Sequence, residues 1–346
     1  MKRLLLILCL LMLFSLNISA TEFTAPEVPK QAEKYFPESQ QSFVQDLWYI
    51  IKSVIADIYP DLADAAHICL RIIAIILLGS LLNANNENYR KIITLTQVVA
   101  ISIVLLEPSR AMLSLGFDTI TELLEYSKLL LPVLTGALAA QGGVSVSTAL
   151  YMGTTVFNTI LGAFIKDALI PVIYGYIAIS VADQALGDGF LKNIKGFLKW
   201  LMTWSMKIII YIFTGYVSIT GVVSSSADAT AIKAAKLTIS GVIPVVGNVI
   251  SDASDAVLGS VAVIKNSVGT YGLLAIIAIW LAPFLRVGVH YLLLKLTAAV
   301  CAIFNKYEGT RLVEDFGTVM GCVVAMISLT SLLILISTVC FMKGVA

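Results

Sequence analysis

The chain has 346 residues, 58% hydrophobic and only 13% charged, with a formal net charge of +1. Soluble domains carry about 45–50% apolar and about 25% charged residues, so this composition, with a mean hydropathy of +0.92, excludes an ordinary soluble globule and describes an integral membrane protein. The near-neutral charge and the lack of a basic block give no reason to expect a nucleic-acid partner.

The chain opens Met1-Lys2-Arg3, then an apolar run over 4–16, then Asn17-Ile18-Ser19-Ala20. A basic start, a short apolar core and a small residue at the end make residues 1–20 a signal peptide, with cleavage expected after Ala20 and an uncleaved anchor as the alternative. Residues 21–64 form an acidic extracytoplasmic segment. Pro26, Pro29 and Pro37 mark its first part as extended, while Phe43, Leu47, Ile50, Val54 and Ile58 follow helical spacing. That spacing predicts an amphipathic helix lying on the outer surface or on the membrane.

Residues 65–346 form the polytopic membrane domain. Apolar runs fall at 65–82, 92–106, 129–140, 145–165, 168–181, 200–223, 271–294 and 317–342. The expected fold is therefore all-α, about eight transmembrane helices after the signal peptide. Pro132 and Pro171 are expected to interrupt the short pieces that hold them. Residues 107–128, with Leu113, Phe117, Ile120 and Leu124 on one face, predict an external helix. Basic loops at 83–91, 183–199 and 295–316 place those turns in the cytoplasm, and both termini outside.

The segment 224–269 differs from the spans around it. It has no aromatic residue and is rich in Ala, Ser, Val and Gly. Lys233 and Lys236 lie on a first helical arm; Gly241, Pro244 and Gly247 break it; Asn248 caps a second arm whose polar face carries Asp252 and Asp255. This predicts a broken or re-entrant helical element that lines a polar path or docks a partner, or else a hairpin lying on the membrane. Leu131-Pro132-Val133, Ile170-Pro171-Val172 and Ile243-Pro244-Val245 echo one another, a pattern that also suits a secondary transporter.

Arg286 lies inside an apolar span, one turn before His290, where a charge needs a cavity or a partner. Arg71 and Lys207 lie nearer span ends and are expected to snorkel. Gly317 and Gly321 form a GxxxG helix-packing motif. The five cysteines show no CxxC or metal-like spacing, the two histidines are too few for a His-based metal site, and no phosphate-loop, HExxH or GxSxG motif is present. No enzyme activity, metal or cofactor is expected.

The stretch ADATAIKAAKLTISGVIPVVGNVISDASDAVLGSVAVIKNSVG resembles the signature region of the stage III sporulation protein AE family, and the layout from about Gln45 onward is similar. The resemblance implies a non-enzymatic membrane component of the channel or secretion-like complex between mother cell and forespore. It implies a place in the mother-cell membrane around the forespore, as permease or export platform. It implies as partners the other membrane proteins of the same operon, a separate ATPase, ring-forming proteins and a forespore membrane protein. A stand-alone secondary transporter of a small solute is the alternative.

Overall fold

The computed structural model describes residues 24–37, 42–85, 89–141, 143–186, 189–223, 247–304 and 308–343. A short α1 (Lys30–Glu33) precedes the long helices α2 (Phe43–Asn85) and α3 (Arg90–Ala140). Then α4 (Val144–Phe164) runs through one π turn (Ile165–Leu169) into α5 (Ile170–Leu186). The chain continues as α6 (Lys192–Val223), α7 (Gly247–Phe304) and α8 (Glu308–Lys343).

Close approaches fix the helix directions. Gln97 of α3 donates to the Ile76 carbonyl of α2 at 3.3 Å, so these two form an antiparallel hairpin. Asn158 of α4 donates to Ser127 of α3 at 2.9 Å. Lys195 near the start of α6 meets Asp183 near the end of α5. Gly269 of α7 abuts Met342 of α8, and Gly321 of α8 abuts Tyr291 of α7. The result is an up-and-down bundle. The α2–α3, α5–α6 and α7–α8 turns share one end, flanked by Arg90, Lys91, Lys192, Lys199 and Arg311.

The core lies where α3, α7 and α8 meet. Leu105, Leu123, Leu130, Val287, Leu294, Val319, Val323 and Ile327 are all buried there. In lipid no hydrophobic driving force pulls helices together, so close packing must do it, and small residues allow it. A Cβ on Gly116 would fall within the Val323 side chain, and one on Gly272 would come 2.7 Å from Leu130. On α8, a Cβ at Gly321 would come 2.9 Å from the Tyr291 ring, and one at Gly317 would come 3.7 Å from Leu294. Both glycines of the GxxxG motif therefore face α7. Hydroxyls in the spans bond to carbonyls of their own helix, as Ser102, Thr119, Thr135, Thr297 and Thr338 do, which satisfies them without water.

Several sequence expectations need correction. Eight separate crossings are expected, but among the described residues six helices are long and apolar enough to cross a membrane. The amphipathic helix and the first span are one helix, α2. Residues 107–128 are not an external helix: they are the middle of α3, with Leu113, Ile120 and Leu123 buried in the bundle. Pro132 sits inside α3 without ending it. Pro171 does not separate two spans either. Its ring and missing N–H are accommodated by the π turn just before it, closed by the Ile170 N–H to the Ile165 carbonyl. Asp183 and residues 192–199 belong to α5 and α6, and the expected loop at 295–316 is mostly helix. The second arm of the 224–269 element does not stop at Gly269: from Gly247 it is continuous with the incoming span as α7. Residues 1–23 and 224–246, and with them the signal peptide, Lys233, Lys236, Gly241 and Pro244, lie outside the described residues.

The glycine contacts give the first test. Gly116→Leu is expected to destabilise the bundle by about 1–3 kcal/mol through overpacking against Val323. Gly288→Ala, with nothing within 4 Å of the added carbon, should leave stability unchanged or slightly raised. Thermal unfolding of the two variants in detergent measures the difference.

Candidate functional site

Two ion clusters join helices of this apolar bundle. The first joins α2 to α7. Asp57 and Asp61 stand one turn apart on α2, so their carboxylates share a face. Arg286 of α7 reaches both, Nη2 to Asp57 Oδ2 at 2.8 Å and Nε to Asp61 Oδ2 at 2.7 Å. Asp57 also receives Lys34 Nζ at 2.8 Å and the Tyr35 hydroxyl at 2.5 Å. Two cations thus balance two anions, in a setting about a third exposed. Arg286 has 27% of its side chain exposed, Asp57 37% and Asp61 40%.

Around this cluster the segment 24–37 is fastened across α2 and α7. Ala32 and Tyr35 are buried, and Phe36 packs on Tyr271 of α7 with ring centroids 4.9 Å apart. Lys34 is held above the ordinary lysine value of 10.5, chiefly by its hydrogen bond to Asp57 and then by that to Tyr35. Burial, with the Asp57 hydrogen bond second, raises the Tyr35 phenol above its usual 10.0. An open recess of about 800 Å³ lies beside the strap, lined by Glu27, Lys30, Glu33, Lys34, Tyr49 and Tyr271 among others.

The second cluster ties α5, α6 and α8 together. Lys195 Nζ lies 2.9 Å from Asp315 Oδ2 and 3.2 Å from Asp183 Oδ2. The Tyr176 hydroxyl donates to Asp315 Oδ1 at 2.8 Å. This cluster is better hidden, with side-chain exposures of 15% for Lys195, 6% for Asp183 and 13% for Asp315. Asp183 Oδ1 is buried and has no hydrogen-bond partner. Among the described residues, one lysine between two carboxylates gives a formal charge of −1 in a nearly dry place. Such a site holds helices in register and is sensitive to any change in its ionisation.

Of the residues singled out in the sequence, Arg286 is placed in an ion cluster. His290, one turn further along α7, is buried and its Nε2 has no hydrogen-bond partner. Gly247, Asn248, Asp252 and Asp255 fall in the first turns of α7. The second cluster escaped sequence reading because its members looked like loop charges. The available signal was positional: Asp183 and Asp315 each sit within one turn of an apolar run, where a lone carboxylate needs a partner. Among the described residues no group of three or more His, Cys, Asp or Glu side chains is arranged to hold a metal ion.

Comparison with known proteins adds the following. A family model described as stage III sporulation protein AE matches residues 31–344. The stage III sporulation protein AE of Bacillus subtilis (strain 168) is 24% identical over 282 residues, covering 80% of this chain and 70% of that protein. No solved structure matches.

Lys195→Met is expected to cost about 3–5 kcal/mol, because it strands two buried carboxylates; unfolding in detergent measures it. The strap responds to alkaline pH instead. Because the folded pKa of Lys34 is raised, its contribution is complete below about 10.5 and is lost only as pH rises through the elevated value. Protease cleavage within 24–37 should therefore stay slow at pH 9 and accelerate only as the pH rises past 10.5, whereas Lys34→Ala should already be cleaved faster at pH 9.

Proposed function

The chain belongs to the stage III sporulation protein AE family, and from that premise we propose that it is a non-enzymatic membrane subunit of the channel or secretion-like complex joining mother cell and forespore. In this reading it is the permease or export-platform part, in the mother-cell membrane around the forespore. Its partners are the other membrane proteins of the same operon, a separate ATPase, ring-forming proteins and a forespore membrane protein.

The observation that carries the reading is a bundle with fixed charge in its interior and a distinct polar structure at one end. Arg90, Lys91, Lys192, Lys199 and Arg311 gather at the end opposite the strap. Under the positive-inside rule that end faces the mother-cell cytoplasm. The strap and its recess then face the space between the two membranes, where partner proteins have access to them.

A second reading, a stand-alone secondary transporter of a small solute, draws on the Lys195–Asp183–Asp315 cluster. A buried, formally charged site is a place where a coupling ion can act. The two readings part in the test. Deleting the gene in its host should abolish heat-resistant spores and late forespore gene expression, and the wild-type gene should restore both. Arg286→Gln, present in the membrane at normal level, should restore spores at least ~10-fold less well. Normal sporulation of the deletion strain contradicts the complex. Solute uptake by the purified chain alone in liposomes supports the transporter.

A further inference from the structure

The outer surface of the bundle carries two stripes that do not suit lipid. On α3, Glu107, Arg110, Ser114, Asp118, Thr121, Glu125 and Lys128 recur every three or four residues and are all exposed, so they form one polar line along the helix. Ser114 donates to Asp118 at 3.1 Å within the line, and Glu122 adds a further acid at its edge. On α6, Phe197, Trp200, Trp204, Lys207 and Tyr211 show the same spacing and are likewise exposed. The rings of Phe197, Trp200 and Trp204 stack successively, with centroids 5.8 and 5.5 Å apart.

These stripes are on different faces, since the α4–α5 helix stands between α3 and α6. They nevertheless lie at the same depth. Phe213 of α6 packs on Phe157 of α4 at 5.7 Å, and the next residue, Asn158, bonds to Ser127 of α3 at 2.9 Å. Both α3 and α6 run in the same direction. Lys207, about 9 Å before Phe213 along α6, is therefore level with Thr121, about 9 Å before Ser127 along α3. The exposed lysine of one stripe sits at the height of Asp118 and Glu125 in the other.

Lipid does not explain the pair. An interfacial aromatic belt occupies one depth, but the α6 stripe climbs about 21 Å. On α3, exposed apolar residues lie on both sides of the polar line, Ile92, Val99 and Ile103 before it and Leu129 after it. Between Leu106 and Leu129 the helix rises about 34 Å, while a hydrocarbon core is about 30 Å thick. The α6 span, Lys192–Gly215, lies at the depth of the charged line, so a bilayer that reaches α6 also reaches that line, which then needs cover by protein.

We propose that the cover is a second copy of this chain: the α6 stripe of one copy docks on the α3 stripe of the next, Lys207 against Asp118 and Glu125. The two surfaces differ, so the contact is head-to-tail. Repeated about an axis normal to the membrane, it closes into a ring.

The test is disulfide cross-linking in membranes, in a full-length chain lacking its five native cysteines. Lys207→Cys and Thr121→Cys on separately tagged chains should give a cross-linked dimer. The two substitutions on one chain should give a ladder of higher species. No cross-link, or cross-linking of Lys207→Cys only to itself, overturns the proposal. In parallel, Lys207→Glu should lower co-purification of two tagged wild-type-level copies by roughly tenfold, and Asp118→Lys with Glu125→Lys in the same chain should restore it. Because all these side chains are exposed, rescue by the reversed charges separates a lost contact from a lost fold. A wild-type chain that stays monomeric in nanodiscs, or a reversal that fails to rescue, also overturns it.

Discussion

An arginine sits in the middle of an apolar helix here because two carboxylates, one turn apart on a neighbouring helix, meet its guanidinium. An isolated charge at such a position costs about 2.5 kcal/mol or more, and its partners offset that cost only while α2 and α7 lie side by side in one register. The fork of Arg286 suits this task, since its two ends engage Asp57 and Asp61 separately. With α2 and α7 fixed parallel, the hairpin to α3 and the antiparallel pairing of α7 with α8 follow. The same Asp57 carboxylate holds Lys34 and Tyr35, so the constraint that orients two helices also fastens the strap outside them.

The rest of the bundle is built on close approach. Glycines at 116, 269, 272 and 321 let side chains of the facing helix lie against backbone, which is how helices associate where lipid competes equally for apolar surface. Five prolines fall at or within these helices, at 60, 108, 132, 171 and 283. Each removes a backbone hydrogen bond, a loss of about 3 kcal/mol or more in an isolated helix. The helices continue through four of them. At Pro171 the chain instead inserts a π turn, which places Lys166 and Asp167 at the surface in mid-helix.

Much of this was legible in the residues. Composition gave the membrane, the apolar runs located every long helix, and the basic turns marked one end. Arg286 stood out because charge in an apolar run needs a partner. The extent of the helices was not legible. Residues 107–128 show a helical stripe of Leu113, Ile120 and Leu124, but sequence does not say whether a bundle or a membrane surface covers it. Proline suggested breaks because local rules ignore the packing that repairs them. Lys195 and Asp315 are 120 positions apart, and only folding brings them together. Of the 224–269 element only 247–269 lies among the described residues, and that part is the start of α7.

The account rests on the internal ion pairs as the constraint that sets the helices. A double-mutant cycle on the first cluster tests this most directly, by thermal unfolding of Arg286→Met, of Asp57→Leu with Asp61→Leu, and of the three together. Each partial variant strands charge and should lose roughly 1–3 kcal/mol, while the triple variant, in which only the half-exposed Lys34 is left without its carboxylate, should recover most of that loss. Additive losses, with the triple variant the least stable of the set, would contradict it.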